Sequence, residues 1–143
     1  MNNRRHSHSS CVLKENIYVF CGHDYLSGDG YLSSIEVVNA NKAIDYCPGF
    51  GDDYWRLIEV QDKQLSTRIN PSVVPISPYE ILVMGGARSG KKYCSDGYIW
   101  NANTGEFTQI LDPKSSYSFT TYGNMFGEVG RGKVAGLVTD IHH

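Results

Sequence analysis

Residues 81–86, Ile81-Leu82-Val83-Met84-Gly85-Gly86, decide how this chain is read. Four apolar residues run without a break into two glycines. Such a short, near-continuously apolar run bounded by turn residues predicts a strand buried on both faces. Residues 17–22, Ile17-Tyr18-Val19-Phe20-Cys21-Gly22, have the same form 64 positions earlier. Short candidate strands precede each run, at 9–13 and 72–76. Further strands follow at 34–39 and 97–101, then at 54–59 and 106–110. The turn Asn39-Ala40-Asn41 recurs as Asn101-Ala102-Asn103 at an offset of 62, and Trp55 falls on Phe107 at an offset of 52. The shortening offset places surplus residues around 43–51 of the first unit, as a loop on one side of a repeat stack. At the 64-residue offset Arg4 falls on Arg68. No helical stripe persists anywhere, so no helix is expected; one turn at 59–65 is the nearest case.

Composition fits this pattern. The chain has 143 residues, 41% hydrophobic and 20% charged, which fits one domain. Fifteen glycines and ten tyrosines favour short strands and tight turns. A net charge of −2 and a pI near 6.2 argue against a broad nucleic-acid-binding face. No apolar run approaches the ~20 residues of a membrane span, and no secretory leader is evident at residues 1–6. A cytoplasmic, reducing compartment is therefore expected. The four cysteines, Cys11, Cys21, Cys47 and Cys94, form no CxxC pair and are expected as free thiols, with Cys11 and Cys21 acting as small buried hydrophobes.

The order of features resembles the kelch repeat: apolar strand, paired glycine, loop, strand ending in a polar turn, then an aromatic. Those features are carried by 17–22, 34–39 and Trp55, and again by 81–86, 98–101 and Phe107. The ~50-residue period agrees. Cys21 stands where a glycine is usual. A third unit starts near Tyr122 but reads Leu137-Val138-Thr139 where a double glycine is expected. The resemblance implies an all-β fold: a partial kelch-type β-propeller with two four-stranded antiparallel blades, about 4–60 and 68–110, and part of a third, about 116–140. Gly22, Gly85 and Gly86 then act as architecture, and so do Trp55 and Phe107. Closed propellers need ~4–8 blades, so the expectation is a piece of a larger propeller, completed by further blades or by self-association.

In kelch propellers the starts of the innermost strands and their adjacent loops line one mouth of the central channel. By the same resemblance, the partner-binding positions here are Arg4, Arg5 and His6, then Arg68 and Asn70, then Tyr122 and Asn124. Arginine suits carboxylate or phosphate on a partner, although an arginine at a sheet edge also simply covers it.

Other chemistries are weakly supported. His6 and His8, two apart on a strand, would share a face and could share a metal, but only His23 offers a third ligand, so no metal site is expected. Residues 85–92, Gly85-Gly86-Ala87-Arg88-Ser89-Gly90-Lys91-Lys92, lack the phosphate-loop spacing and lead into a strand. No nucleophile signature or carboxylate pair is present, and no cofactor is expected. The expected function is a non-catalytic protein–protein interaction module. The alternatives are a fragment of a copper enzyme resembling galactose oxidase, or a structural subunit of a larger assembly.

Overall fold

The apolar runs around Ile17 and Ile81 each become the second strand of a four-stranded antiparallel sheet. The computed structural model describes residues 3–26, 30–44, 54–60, 68–88, 92–111, 118–120 and 140–142. The first sheet is β1 (Ser9–Leu13), β2 (Asn16–Phe20), β3 (Ile35–Asn39) and β4 (Arg56–Ile58), in chain order. The second is β5 (Ser72–Ser77), β6 (Glu80–Met84), β9 (Gly97–Asn101) and β10 (Phe107–Leu111), also in chain order. A two-stranded hairpin, β7 (Ala87–Arg88) with β8 (Lys92–Tyr93), fills the β6–β9 connection. A last pair, β11 (Ser118–Thr120) and β12 (Asp140–His142), runs antiparallel, which places His142 in a strand. The expected third-unit strands near 122–138, and most of the 43–51 loop, lie outside the described residues.

The first two units match in detail. Phe107 pairs with Trp100, and Trp55 directly precedes Arg56, which pairs with Val37 at the end of the β3–β4 ladder. The Oδ1 of Asn39 accepts from the amides of Asn41 (3.1 Å) and Lys42 (3.4 Å). Asn101 repeats this with Asn103 (2.9 Å) and Thr104 (3.1 Å). Asparagine is favoured at such positions because its side chain satisfies amides that begin a turn or helix. After Asn39 the turn extends into a short helix, α1 (Ala40–Ile44). This corrects the helix-free expectation: a good cap is enough for one helical turn without an apolar stripe.

The units differ by one residue in the first hairpin. Ser9 pairs with Phe20, whereas Ser72 pairs with Met84. A register shift between Pro75 and Ser77 takes up the extra residue, as a bulge does where proline cannot donate to the ladder. Residues before this bulge therefore correspond at an offset of 63. Arg68 is the counterpart of Arg5, not of Arg4.

The glycines are needed where the chain leaves β2 and β6. Gly86 has φ +85°, and a Cβ there would lie 2.5 Å from the Ile69 carbonyl oxygen. Cys21 occupies the place of Gly85 and adopts the same left-handed backbone, φ 59° against 66°. Side chains rarely accept that region, at a cost of roughly 1–2 kcal/mol.

Both faces of the central strands are buried, as the apolar runs predict. The core between the sheets joins Leu13, Tyr18, Phe20, Ile35 and Val37 of the first to Val73, Ile81, Val83, Tyr98 and Trp100 of the second. Trp100 meets Tyr18 and Phe20 edge-on, with ring centroids 5.3 and 5.6 Å away. Leu82 and Met84, the counterparts of Tyr18 and Phe20, lie in a separate cluster with Val74, Ile76 and Ile99. Corresponding faces of the two sheets thus point the same way, and opposite faces meet. The starts of the innermost strands are joined directly. The Gly22 amide donates to the Arg68 carbonyl (3.0 Å), and the Asn70 amide to the Ser7 carbonyl (2.8 Å). The Ser9 hydroxyl donates to the Pro71 carbonyl. Among the described residues no helix is long and apolar enough to cross a membrane.

Candidate interaction site at the strand starts

The residues before β1 and β5 and the loops after β2 and β6 gather at one end of the stacked sheets. His6 and His23 exchange backbone hydrogen bonds of 3.0 Å, and His23 also bridges to Tyr31. In the second unit Ile69 and Ala87 exchange the equivalent pair at 2.9 Å. The turn residues Ser7 and Asn70 correspond as well, with φ of 54° and 48°. Asn70 suits this, since asparagine tolerates the left-handed region better than most residues.

Two of the expected partner-facing arginines lie inside the protein. The Arg68 guanidinium donates to both oxygens of Asp96, at 2.8 Å each, and to the Gly85 carbonyl at 3.0 Å. Tyr98 donates its hydroxyl to the same Asp96 carboxylate at 2.9 Å. Arg5 does the equivalent work in the first unit. It donates to Glu36 (3.0 Å), to the Ser34 carbonyl (3.0 Å) and to the Cys21 carbonyl (2.9 Å). Both Arg–acid pairs are essentially solvent-free. Burial alone would push the Asp96 carboxyl up, but hydrogen bonds and charge from Arg68, with the Tyr98 hydroxyl, hold it below the ordinary carboxylate value. Arg5 and Arg68 therefore tie strand starts to the third strand of each sheet, and the reading of them as partner contacts is corrected. A buried guanidinium needs a carboxylate and carbonyls around it, and both units supply them.

Of the remaining expected positions, the described ones, Arg4, His6 and Asn70, lie closer to solvent. Arg4 is exposed, while His6 and Asn70 are half-buried. Tyr122 and Asn124 lie outside the described residues. Around Arg4 and His6 the fold adds loop residues that sequence reading missed. Arg4, Arg5, His6, His23, Asp24, Tyr25 and Leu26 line an open pocket of about 260 Å³. Tyr25 stacks on the His6 ring at 4.0 Å, nearly parallel. His23 meets Tyr31 edge-on at 4.7 Å. Gly30 backs His23 so closely that a Cβ would lie 2.4 Å from the imidazole. Tyr25 and Leu26 are the most exposed large apolar residues of the described chain, at 78% and 75%.

The two-histidine metal reading loses its premise. The left-handed Ser7 interrupts the strand alternation between His6 and His8. Among the described residues no group of three His, Cys, Asp or Glu is placed to hold a metal ion. His8 is half-buried, and burial with the neighbouring Arg5 charge lowers its pKa below the ordinary 6.5. The thiols of Cys11 and Cys21 are both pushed up to about 12 by burial. That makes them poor nucleophiles. The segment after Gly86, weighed above as a phosphate loop, runs into the β7–β8 hairpin.

No protein-family model matches this chain, and no curated protein matches it either.

Proposed function

We propose that this chain is a kelch-type repeat module that binds a protein partner without catalysing a reaction, using the end of the stack where the inner strands begin. The observation that carries the reading is the exposed group Arg4, Tyr25 and Leu26, held over a rigid base by the His6–His23 bridge and the His6–Tyr25 stack. An aromatic and an arginine presented on a pre-ordered surface are the residue types that anchor protein interfaces. The same-way stacking of the two sheets supports a propeller, since blades around an axis must meet by opposite faces. A cytoplasmic setting agrees with the free thiols Cys11, Cys21 and Cys94.

The test is quantitative recovery of binding partners from cell extract by the chain and by an Arg4→Glu/Tyr25→Ala variant. Both side chains are exposed, so the variant keeps its fold. Partners held by the parent chain and lost by the variant support the reading. Identical recovery by both overturns it.

A further inference from the structure

His6 and His23 stand directly opposite each other, where the chain approaches β1 and where it has left β2. Each donates its backbone amide to the other's carbonyl at 3.0 Å. Residues paired in this way across antiparallel chain send their side chains to one face, and the two imidazole centroids lie 5.3 Å apart. Tyr25 stacks on His6 at 4.0 Å and lies 4.9 Å from His23. Tyr31, bridged to His23 through the backbone, meets its ring edge-on at 4.7 Å.

The His23 ring is confined. Its Nδ1 is buried and has no hydrogen-bond partner. Gly30 backs the ring so closely that a Cβ there would lie 2.5 Å from Nε2. A neutral imidazole carries its proton on one nitrogen only, whereas both nitrogens of an imidazolium are donors. Protonation therefore gives His23 a buried, charged N–H with no acceptor, which is costly.

The surroundings do not offset two such charges. Arg4, Arg5 and His8 approach from the chain before β1, and each is basic. On β3, Glu36 is engaged by Arg5 at 3.0 Å. In the second unit the Arg68 carbonyl binds the Gly22 amide, while its guanidinium is held by Asp96. After β2 come Asp24, Tyr25 and Tyr31. Asp24 is the one acidic residue lining the pocket, and it already accepts from the Leu26 amide. That carboxylate and the face of Tyr25 suit one imidazolium, and not a pair.

We propose that the His6–His23 bridge is an acid-sensitive latch: the neutral pair fastens the exit of β2 to the entry of β1, and protonation of both rings opens it while the two sheets stay folded. Histidine is the side chain whose ordinary titration lies between about pH 5 and 8. The open form, with its rings in water, binds more protons, so closure weakens as pH falls. The corresponding bridge of the second unit, Ile69–Ala87, has the same paired backbone bonds, at 2.9 Å, and no titratable side chain. It is a built-in reference. The latch belongs to the fold and stands whether or not the chain binds a protein partner.

Amide hydrogen exchange of the folded chain, read residue by residue at pH 7.5 and 5.5 and corrected for intrinsic rates, tests it. The His6 and His23 amides should lose about ten-fold or more in protection at pH 5.5, while those of Ile69 and Ala87 change by less than about two-fold. In the parent chain the loss should follow the second of the two imidazole titrations, read from ring resonances. His6→Phe keeps an aromatic ring against Tyr25 and leaves one imidazole, so its loss should shrink to about two-fold or less. His8→Gln should keep the full loss. Unchanged protection of His6 and His23, an equal loss at Ile69 and Ala87, or a loss that ignores the ring titrations overturns the latch. So does a full loss that persists in His6→Phe, or one abolished by His8→Gln.

Discussion

Arg68 and Asp96 face each other through two hydrogen bonds of 2.8 Å inside the protein, 28 residues apart in sequence. Arg5 and Glu36 repeat the relationship in the first sheet with a single bond of 3.0 Å. Each arginine also clamps the carbonyl of the residue where the second strand turns away, Gly85 or Cys21. The acids are not strict counterparts: Asp96 matches Ser34, and Glu36 matches Tyr98, two residues along the same strand face.

Removing one partner leaves a buried charge without compensation. Asp96→Asn should destabilise the chain by about 3–5 kcal/mol, read as a lowered urea midpoint. Asp96 titrates below its ordinary value of 3.8 in the folded state, so its contribution is present above that pH and fades as pH falls through the lower folded value. The parent chain should therefore lose stability steeply in acid, and the variant should lose less. Equal stability of the two at pH 7 would show that the pair does not hold the fold.

Gly86 and Gly105 separate steric conflict from backbone preference. Both have positive φ, +85° and +75°. A Cβ at Gly86 meets the Ile69 carbonyl oxygen at 2.5 Å, whereas one at Gly105 meets nothing within 4 Å. Gly105→Ala should cost about 1 kcal/mol. Gly86→Ala should cost clearly more, because backbone must move. Thermal melts of both variants check the order.

His8 predicts a pH dependence near neutrality. Its folded pKa lies below 6.5, so between the two values the unfolded chain binds more protons. Stability should fall as pH drops through 6.5. Arg5, Glu36 and His6 are the charged or titratable groups acting on it. Urea titrations at pH 7.5 and 5.5 should differ for the parent chain and converge for His8→Gln; an equal difference in both would remove His8 as the cause.

Cys11 and Cys21 should resist alkylation in the folded chain. With pKa values of about 12, roughly one thiol in ten thousand is ionised at pH 8. Peptide-resolved mass spectrometry after iodoacetamide should show both labelled only in denaturant. Rapid labelling of Cys21 in native buffer would contradict its burial.

The strands were legible because β-branched and aromatic runs end sharply at Gly22, Gly85 and Gly86. The repeat was legible through Ile17 and Ile81, and through the capping asparagines Asn39 and Asn101. The match of Arg68 was misread by one residue because the bulge at Pro75–Ser77 leaves no local mark beyond a proline. The burial of Arg5 and Arg68 was not legible. Arginine alone reads as surface, and its acids lie 31 and 28 residues away, across strands whose register only the fold reveals. Tyr25 and Leu26 sit in a polar loop and Tyr93 in the two-residue strand β8, none with a readable periodicity. Only the bridges His6–His23 and Ile69–Ala87 assign those loops to the end where β1 and β5 begin.

The most direct measurement places a photo-crosslinking amino acid at Tyr25, and in a second protein at Tyr79. Tyr79 is also exposed but lies in the β5–β6 turn, at the opposite end of the sheet. Partner proteins crosslinked from Tyr25, and absent when Arg4→Glu is added, are the result this account predicts. Equal capture from both positions, or capture from Tyr79 alone, would contradict it.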